Sequence, residues 1–434
     1  MRILEVSALP VWSMAGKGGM PSLRETLRGH ERAGFDIALI LPQYHLFADR
    51  LEQVSRGEGL SLEVYLARMP WFPALHAARQ VCKRVCGGGL PTPARWVLNL
   101  LTFLLLTGSF LRVAFRLRYR GRRRFDLVYA HSQYASLAGW IVGRLFRAPN
   151  VTRLYGTFLA DLMRKPLVSL RYPVAAAGFR VPSDRIICTN DGTRGDEVAR
   201  ALRIAPERFC FWQNGLDLPD KPPHEDRRQL AERLKVSGLR QEAKWVVSCS
   251  RLSYWKRIDR MIEALRQARH AGCDCQLVLA GEGGERAKLQ ALARQLGVGD
   301  DAVWLGAVAH DDVWALMHAA DLFMITNDVT NRCNPLYEAI ASGLPVVSVE
   351  DPSTADLLSH EDNALLASRD DPEALGRCLI RICGDSRLAE RMGQAQRRRA
   401  EGLWSWHERM AVEVKELRAL VAGHRADDAR ENRR

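Results

Sequence analysis

A chain of 434 residues is long enough for two domains of ordinary size, and its 47% apolar and 26% charged residues are those of a soluble globular protein. The 63 basic and 50 acidic residues leave a net charge of +13, which points to anionic partners such as nucleotide phosphates, nucleic acid or an anionic membrane face. Ten cysteines are scattered, and the close pairs Cys82/Cys86, Cys273/Cys275 and Cys378/Cys383 lack partners at zinc-site spacing, so no zinc centre is expected.

Met1–Val6 reads as a first β-strand, so no secretory signal opens the chain. Cys188 and Cys249 fall in apolar strand-like runs, which predicts reduced, buried thiols of a cytosolic protein. Strands are expected at Ile3–Ser7, Ile37–Leu41, Leu127–Ala130, Val151–Leu154, Arg185–Thr189 and Phe209–Trp212 in the first half. In the second half they are expected at Trp245–Cys249, Gln276–Ala280, Ala302–Leu305, Leu322–Ile325 and Pro345–Val349. Helical segments such as Arg257–Ala271 and Glu285–Leu296 alternate with them, the pattern of βαβ units and parallel sheets. The turn Asn214–Pro219 separates the two series and sets the domain boundary.

The run Gly16-Lys17-Gly18-Gly19 follows the first strand and lets backbone approach a ligand before a helix begins. It lacks the Gly-Lys-Ser/Thr order of a nucleoside triphosphatase loop, so ATP hydrolysis is not supported. Further along, Trp96–Leu111 is the most hydrophobic run and carries no charge, and seven arginines follow at 112, 116, 118, 120 and 122–124. The apolar run falls short of the roughly 20 residues that span a bilayer. Residues 96–124 are therefore a candidate membrane-contact segment, with a basic cluster beside an apolar face, or a helix buried on the sheet with a solvated basic turn. His131 ends a strand at its carboxyl edge, where it serves either a ligand or packing.

Arg251-Leu-Ser-Tyr-Trp-Lys256 lies beyond the first strand of the second half and opens a helix. A cation at each end of a short loop can clamp a diphosphate, the planar Arg fork on one side and the compact Lys charge on the other. A surface basic pair is the plainer reading of two residues alone. Gly281-Glu282-Gly283-Gly284 is a glycine turn without full dinucleotide spacing, with Glu282 a secondary candidate near a nucleotide. The last informative stretch is Asn334–Val347, where a strand runs through a polar loop into a short helix bearing Glu338. In an open α/β sheet, ligands bind at such carboxyl edges, and Glu338 is placed to accept hydrogen bonds from a sugar or ribose diol or else to support the helix N-terminus. No Ser-His-Asp order, paired-carboxylate pattern or His/Cys ligand cluster stands out.

Taken together in this order, the motifs resemble those of a GT-B glycosyltransferase of family 4, from Met1 to about Leu417. The resemblance rests on Gly18-Gly19, Asp126–His131, Arg185–Thr189 with Asn214–Asp217, Ser250–Lys256, Ala280–Gly283, Trp304–Gly306, Ala320–Phe323 and the segment around Glu338. It implies an α/β architecture of two Rossmann-like, doubly wound parallel-sheet domains facing an interdomain cleft. The expected units are an acceptor-binding domain at 1–215, a nucleotide-sugar domain at 216–402, a terminal helix at 403–422 that opens near Trp404-Ser405-Trp406 and returns to the first domain, and a disordered tail at 423–434.

The resemblance further implies that Arg251 and Lys256 clamp the donor diphosphate and that Glu338 binds the nucleotide ribose. It puts Asn334, Pro335 and Leu336 in a loop whose amides meet the donor, His131 near the transferred sugar, and Gly18 and Gly19 beside its phosphate. The reaction implied is retaining transfer from a nucleotide-diphosphate sugar to a hydroxyl of a lipid-linked or cell-surface glycan, without metal or other cofactor. The partners expected are the nucleotide sugar, the acceptor and an anionic membrane surface at the inner face of the cytoplasmic membrane, and no nucleic acid. One departure stands out. The family carries a second acid eight positions before Glu338, followed by Phe-Gly; here Thr330 and Arg332-Cys333 occupy those places, with Asp328 and Asn331 as neighbours able to present a polar group. The rival readings are a non-catalytic glycan- or membrane-binding protein on a decayed transferase fold and a GT-B sugar-nucleotide epimerase.

Overall fold

The computed structural model describes residues 1–9, 21–43, 60, 62–85, 92–163, 168–216, 225–369, 371 and 373–431; Gly18 and Gly19 lie outside these. The chain divides into two compact units. Among the described residues the first takes those up to Asn214 together with the stretch from Trp406 on, and the second takes Gly215–Ser405.

In the first unit seven parallel strands pair in the order β3-β2-β1-β4-β5-β6-β7. They are β1 (Arg2–Ser7), β2 (Asp36–Pro42), β3 (Glu63–Ala67), β4 (Leu127–His131), β5 (Asn150–Leu154), β6 (Arg185–Thr189) and β7 (Phe209–Trp212). The second unit holds six parallel strands in the order β10-β9-β8-β11-β12-β13. These are β8 (Lys244–Cys249), β9 (Cys275–Ala280), β10 (Ala302–Gly306), β11 (Leu322–Ile325), β12 (Val346–Val349) and β13 (Ala364–Ala367). Helices cover both faces of such sheets, so the central strands are continuous apolar runs: Ile3, Leu4 and Val6 of β1 are fully buried, as are Val246 and Val247 of β8. Both orders are doubly wound, with chain direction across the sheet reversing between β1 and β4 and between β8 and β11. Two edge strands have no counterpart among the expected ones. Ala364-Leu365-Leu366-Ala367 contains no β-branched residue and is a strand through its register with β12. Glu63–Ala67 is a five-residue edge strand held by β2.

The apolar segment of the first unit is a helix from Thr92 to Phe115, closed by a π-helical turn over Arg116–Arg120. It is longer than its uncharged run, and Ala94–Arg120 is by length and composition able to cross a membrane. Leu106, Phe110, Val113, Ala114 and Leu117 nevertheless pack into the sheet's core. The opposite face leaves Val97, Leu100, Leu101, Leu104 and Leu105 exposed.

The last helix, Trp406–Glu431, packs Val414, Leu417 and Val421 against Ile3, Ile37 and Leu127. It continues to Glu431, within the stretch expected to be a disordered tail, where Ala, Arg and Glu are good helix formers. The same helix brings Glu413 into a buried charge cluster. Its carboxylate accepts from Tyr129 Oη at 2.6 Å and Arg153 Nη1 at 2.6 Å, and pairs with Arg409 Nη2 at 2.9 Å. His30 Nδ1 donates to Glu5 at 2.7 Å, and its Nε2 lies 3.3 Å from Glu413. Burial would raise the Glu5 carboxyl, but His30 and the hydrogen bonds from His131 and His30 hold it down at about 2. Replacing Glu413 by Gln leaves Arg153 and Arg409 buried without a countercharge. Urea unfolding should show a loss of about 3–5 kcal/mol; Glu416→Gln, which breaks the half-exposed pair with Arg185, should cost about 1 kcal/mol or less.

Candidate active site

The point where winding reverses in the second unit puts the loops after β8 and β11 side by side, the place where open α/β sheets take ligands. These loops are locked together. Asp328 N–H donates to Trp255 O at 2.9 Å, Thr326 Oγ1 donates to Arg257 O at 2.9 Å, and Arg260 Nη1 donates to Asp328 at 2.8 Å. Arg257 takes a left-handed backbone (φ 51°) to start the helix Ile258–His270, and its guanidinium is held by Asp259 and Asp328. The loop after β9 closes over the other side: Leu252 N–H donates to Glu282 O at 3.0 Å and Glu285 N–H to Leu252 O at 3.2 Å. This approach requires glycine, since a Cβ at Gly281 would sit 1.9 Å from Ser250 O and one at Gly283 would sit 2.1 Å from Leu252 O.

The loop built in this way carries Arg251 and Lys256. Arg251 is exposed, Lys256 is buried with its ammonium 4.2 Å from the Trp255 ring centre, and neither makes an ion pair among the described residues. Burial pushes the Lys256 ammonium below the usual lysine value, and Arg251 adds to the push. Glu338 is the fifth residue of the helix Asn334–Ala341, which starts at Cys333 with no side-chain cap and has Pro335 in its first turn. Its carboxyl is 3% exposed, burial raises it to about 7, and His310 Nδ1 lies 3.8 Å away. Leu336 is fully buried behind the same helix.

The loops around these charges also hold polar atoms without partners. Among the described residues of the second unit, the buried side-chain atoms lacking a hydrogen bond are Ser250 Oγ, Ser253 Oγ, Asn327 Oδ1, Asn331 Nδ2 and Ser342 Oγ. Four of these five belong to the loops after β8 and β11. Buried polar atoms are ordinarily satisfied, so these four are open to a polar ligand or to water. Among the described residues no group of three or more His, Cys, Asp or Glu could hold a metal ion.

Residues 231–399 match the family model of the glycosyl transferases group 1. The chain is 28% identical to an uncharacterised glycosyltransferase of Methanocaldococcus jannaschii over 66% of its length and 73% of the relative's. It is 29% identical to the GDP-mannose-dependent α-(1-6)-phosphatidylinositol dimannoside mannosyltransferase of Mycobacterium tuberculosis, over 57% of this chain and 61% of that one. Its fold is similar to that of HepE of Anabaena, solved with UDP-glucose, at a TM-score of 0.67 and 20% identity, covering 96% of this chain and 100% of that one. The chain is a GT-B glycosyltransferase.

Within this enzyme the expected site residues separate. Arg251, Lys256, Asn331 and Glu338 lie on neighbouring loops or helix ends of the second unit, with Asn334 and Pro335 opening the Glu338 helix. Glu282 instead pairs with Arg286. His131 is fully buried, with Nε2 2.6 Å from Glu5 and Nδ1 2.8 Å from the Tyr155 hydroxyl, so both ring nitrogens have hydrogen-bond partners within the fold. Asp328 is likewise committed to Arg257 and Arg260. Thr330 is buried, with its hydroxyl 2.9 Å from Ser353 Oγ and accepting from Arg332 N–H at 3.0 Å. Arg332 reaches Tyr337 Oη, Ser353 O and Asp356, so the segment that departs from the family pattern is tied to itself.

Ser250, Ser253, Asn327 and His310 escaped the sequence reading. All follow strands at the carboxyl edge, and that position was the available signal. The folded Glu338 carboxyl keeps its proton up to about pH 7, whereas unfolded it releases near 4.5. The folded state therefore binds more protons between these values, and stability falls as pH rises through that window by roughly 3 kcal/mol. Urea unfolding at about pH 5 and about pH 8 should show a decline smaller by about this amount in Glu338→Gln than in the wild type, the remainder coming from groups such as His30, whose folded value of about 9 also costs stability above pH 6.5.

Proposed function

We propose that the enzyme transfers a sugar, with retention of anomeric configuration, from a nucleoside diphosphate sugar to a hydroxyl of a lipid-linked or cell-surface glycan. The observation that carries this reading is the set of groups gathered on adjoining loops of the second unit: two cations outside any ion pair among the described residues, one buried carboxyl whose ion-pair neighbour is His310 at 3.8 Å, and four orphaned polar atoms. A nucleoside diphosphate complements them. Its diphosphate neutralises Arg251 and Lys256, and those cations in turn stabilise the negative charge that grows as the sugar–phosphate bond breaks. Its ribose diol donates to the Glu338 carboxylate, and this favours the ionised form against the cost of burial. Asn331 Nδ2 and Ser253 Oγ remain to meet the transferred sugar in place of the acid that Thr330 replaces.

In this reading no metal takes part, because the two cations supply the countercharge. The leaving phosphate assists removal of the acceptor's proton. UDP-glucose in the Anabaena structure and GDP-mannose in the name of the mycobacterial relative agree with a nucleotide-sugar donor. The exposed Val97–Leu105 face and the arginines beyond it favour work at the inner face of the cytoplasmic membrane. Thr330 favours a second reading, a glycan-binding protein on a decayed site.

Calorimetry with a panel of nucleotide sugars, followed by nucleotide release in the presence of membrane extract, separates the two. The transferase reading expects one donor to bind and to be consumed. It also expects Arg251→Ala, Lys256→Ala and Glu338→Ala each to weaken donor binding about 10- to 100-fold, the worth of a charge-assisted hydrogen bond. Binding without release supports the decayed site, and a folded protein that binds no nucleotide sugar removes the transferase reading.

A further inference from the structure

The first unit contains a cavity of about 280 Å³, lined by Arg95, Trp96, Gln133, Tyr134, Phe158 and Arg171 among others. Gln133 and Tyr134 follow β4, and Phe158 follows β5, so the cavity lies at the carboxyl edge of the sheet, where ligands of open α/β sheets collect. Asn99 of its lining accepts from Arg79, but three other polar groups there have no such partner among the described residues. Arg95 and Arg171 are exposed and neither pairs with a carboxylate among the described residues. The Trp96 indole N–H is buried with no acceptor. Two guanidinium forks and an indole donor around aromatic rings suit a phosphate carried on an organic group, because Arg presents paired N–H donors to phosphate oxygens.

The cavity is continuous in sequence with an apolar surface. Arg95 and Trp96 stand in the first turns of the helix Thr92–Phe115, and the next two turns expose Val97, Leu100, Leu101, Leu104 and Leu105. From Arg95 to Leu105 the helix rises about 15 Å, close to the depth of one hydrocarbon leaflet, half of the roughly 30 Å core. Beyond it stand Arg112, Arg116 and Arg120, all exposed, and the segment from Thr92 to Arg124 contains eight arginines and no acidic residue. An inorganic phosphate would satisfy the cations and leave the leucines in water. A lipid satisfies both.

We propose that this cavity receives the phosphate-bearing head of a membrane lipid whose chains lie along the Val97–Leu105 face, and that this lipid class supplies the acceptor. The acceptor half of the proposal rests on the donor reading given above; the lipid site itself does not.

The test uses the full chain and dihexanoyl phosphatidylglycerol below its micelle concentration, titrated by calorimetry, with UDP and GDP titrated into the same samples. The double variant Arg95→Gln/Arg171→Gln should bind the short-chain lipid at least about tenfold more weakly, and Trp96→Phe, which keeps the ring, should weaken it by a smaller factor. Nucleotide affinity should not change in either variant, so a failure of lipid binding is distinguishable from a failure of the donor site. Flotation on phosphatidylglycerol vesicles should exceed that on phosphatidylcholine vesicles. It should fall in Arg120→Gln/Arg122→Gln/Arg124→Gln, while that variant's binding of monomeric lipid stays at the wild-type value. Equal lipid affinity in wild type and the double variant overturns the proposal. So does inorganic phosphate or glycerol phosphate binding as tightly as the lipid, which identifies a free-phosphate site.

Discussion

Burying a charge without a countercharge is among the costliest acts in folding, and the two units of this protein meet that cost in different ways. In the first unit, Glu5 and Glu413 are enclosed with His30, Arg153 and Arg409 as countercharges, although His30 Nε2, Arg153 Nε and both terminal nitrogens of Arg409 lack a hydrogen bond. Glu413 is held well below the ordinary carboxylate range despite its burial, because Arg153 and Arg409 outweigh desolvation. In the second unit Glu338 is just as enclosed, but nothing offsets the desolvation and its carboxyl stays high. A fold that surrounds two buried carboxylates with three countercharges in one place leaves Glu338, among the described residues, with only His310, 3.8 Å away, in another. We read that contrast as the mark of a ligand at Glu338.

The geometry that permits this follows from sheet order. Because strand order reverses between β8 and β11, their loops have no strand between them and can be pinned to each other through Asp328, Trp255 and Thr326. The glycines of the β9 loop act on the same site from its other side. Gly281 and Gly283 let backbone pass close enough to Ser250 and Leu252 for two hydrogen bonds that fix the loop bearing Arg251. Scaffold and site are thus one construction. Asp328, Arg257 and Arg260 are spent on rigidity, so that Lys256 and Glu338 can remain uncompensated.

Much of this was legible in the sequence. Apolar runs bounded by turn residues marked eleven of the thirteen strands, since strands buried on both faces need uninterrupted hydrophobic side chains. The two others are edge strands: Ala364–Ala367 has no strand propensity of its own and exists through pairing with β12. Arg251, Lys256 and Glu338 could be read because charged residues at carboxyl edges of strands are few and their spacing is informative. The position of His131 at a strand end is visible in sequence, but its partners, Glu5 of β1 and Tyr155 just after β5, stand 126 and 24 residues away, and only the folded sheet brings them to its two nitrogens. Thr330 likewise reads as a lost acid until Ser353 and Arg332 show that its hydroxyl holds a rebuilt loop together. The orphaned Ser253 and Asn331 atoms belong to the same class, because a missing partner is a property of packing.

The measurement that bears most directly on this account is amide hydrogen exchange, read by mass spectrometry, with and without a saturating nucleoside diphosphate. Filling the uncompensated site should slow exchange in three stretches, the loops at 250–257, 281–286 and 326–338, with β4 and the residues after His131 unchanged. Protection confined to the first unit, or none in those three loops at a concentration where the nucleotide is bound, would contradict the assignment of the unpaired charges to the donor.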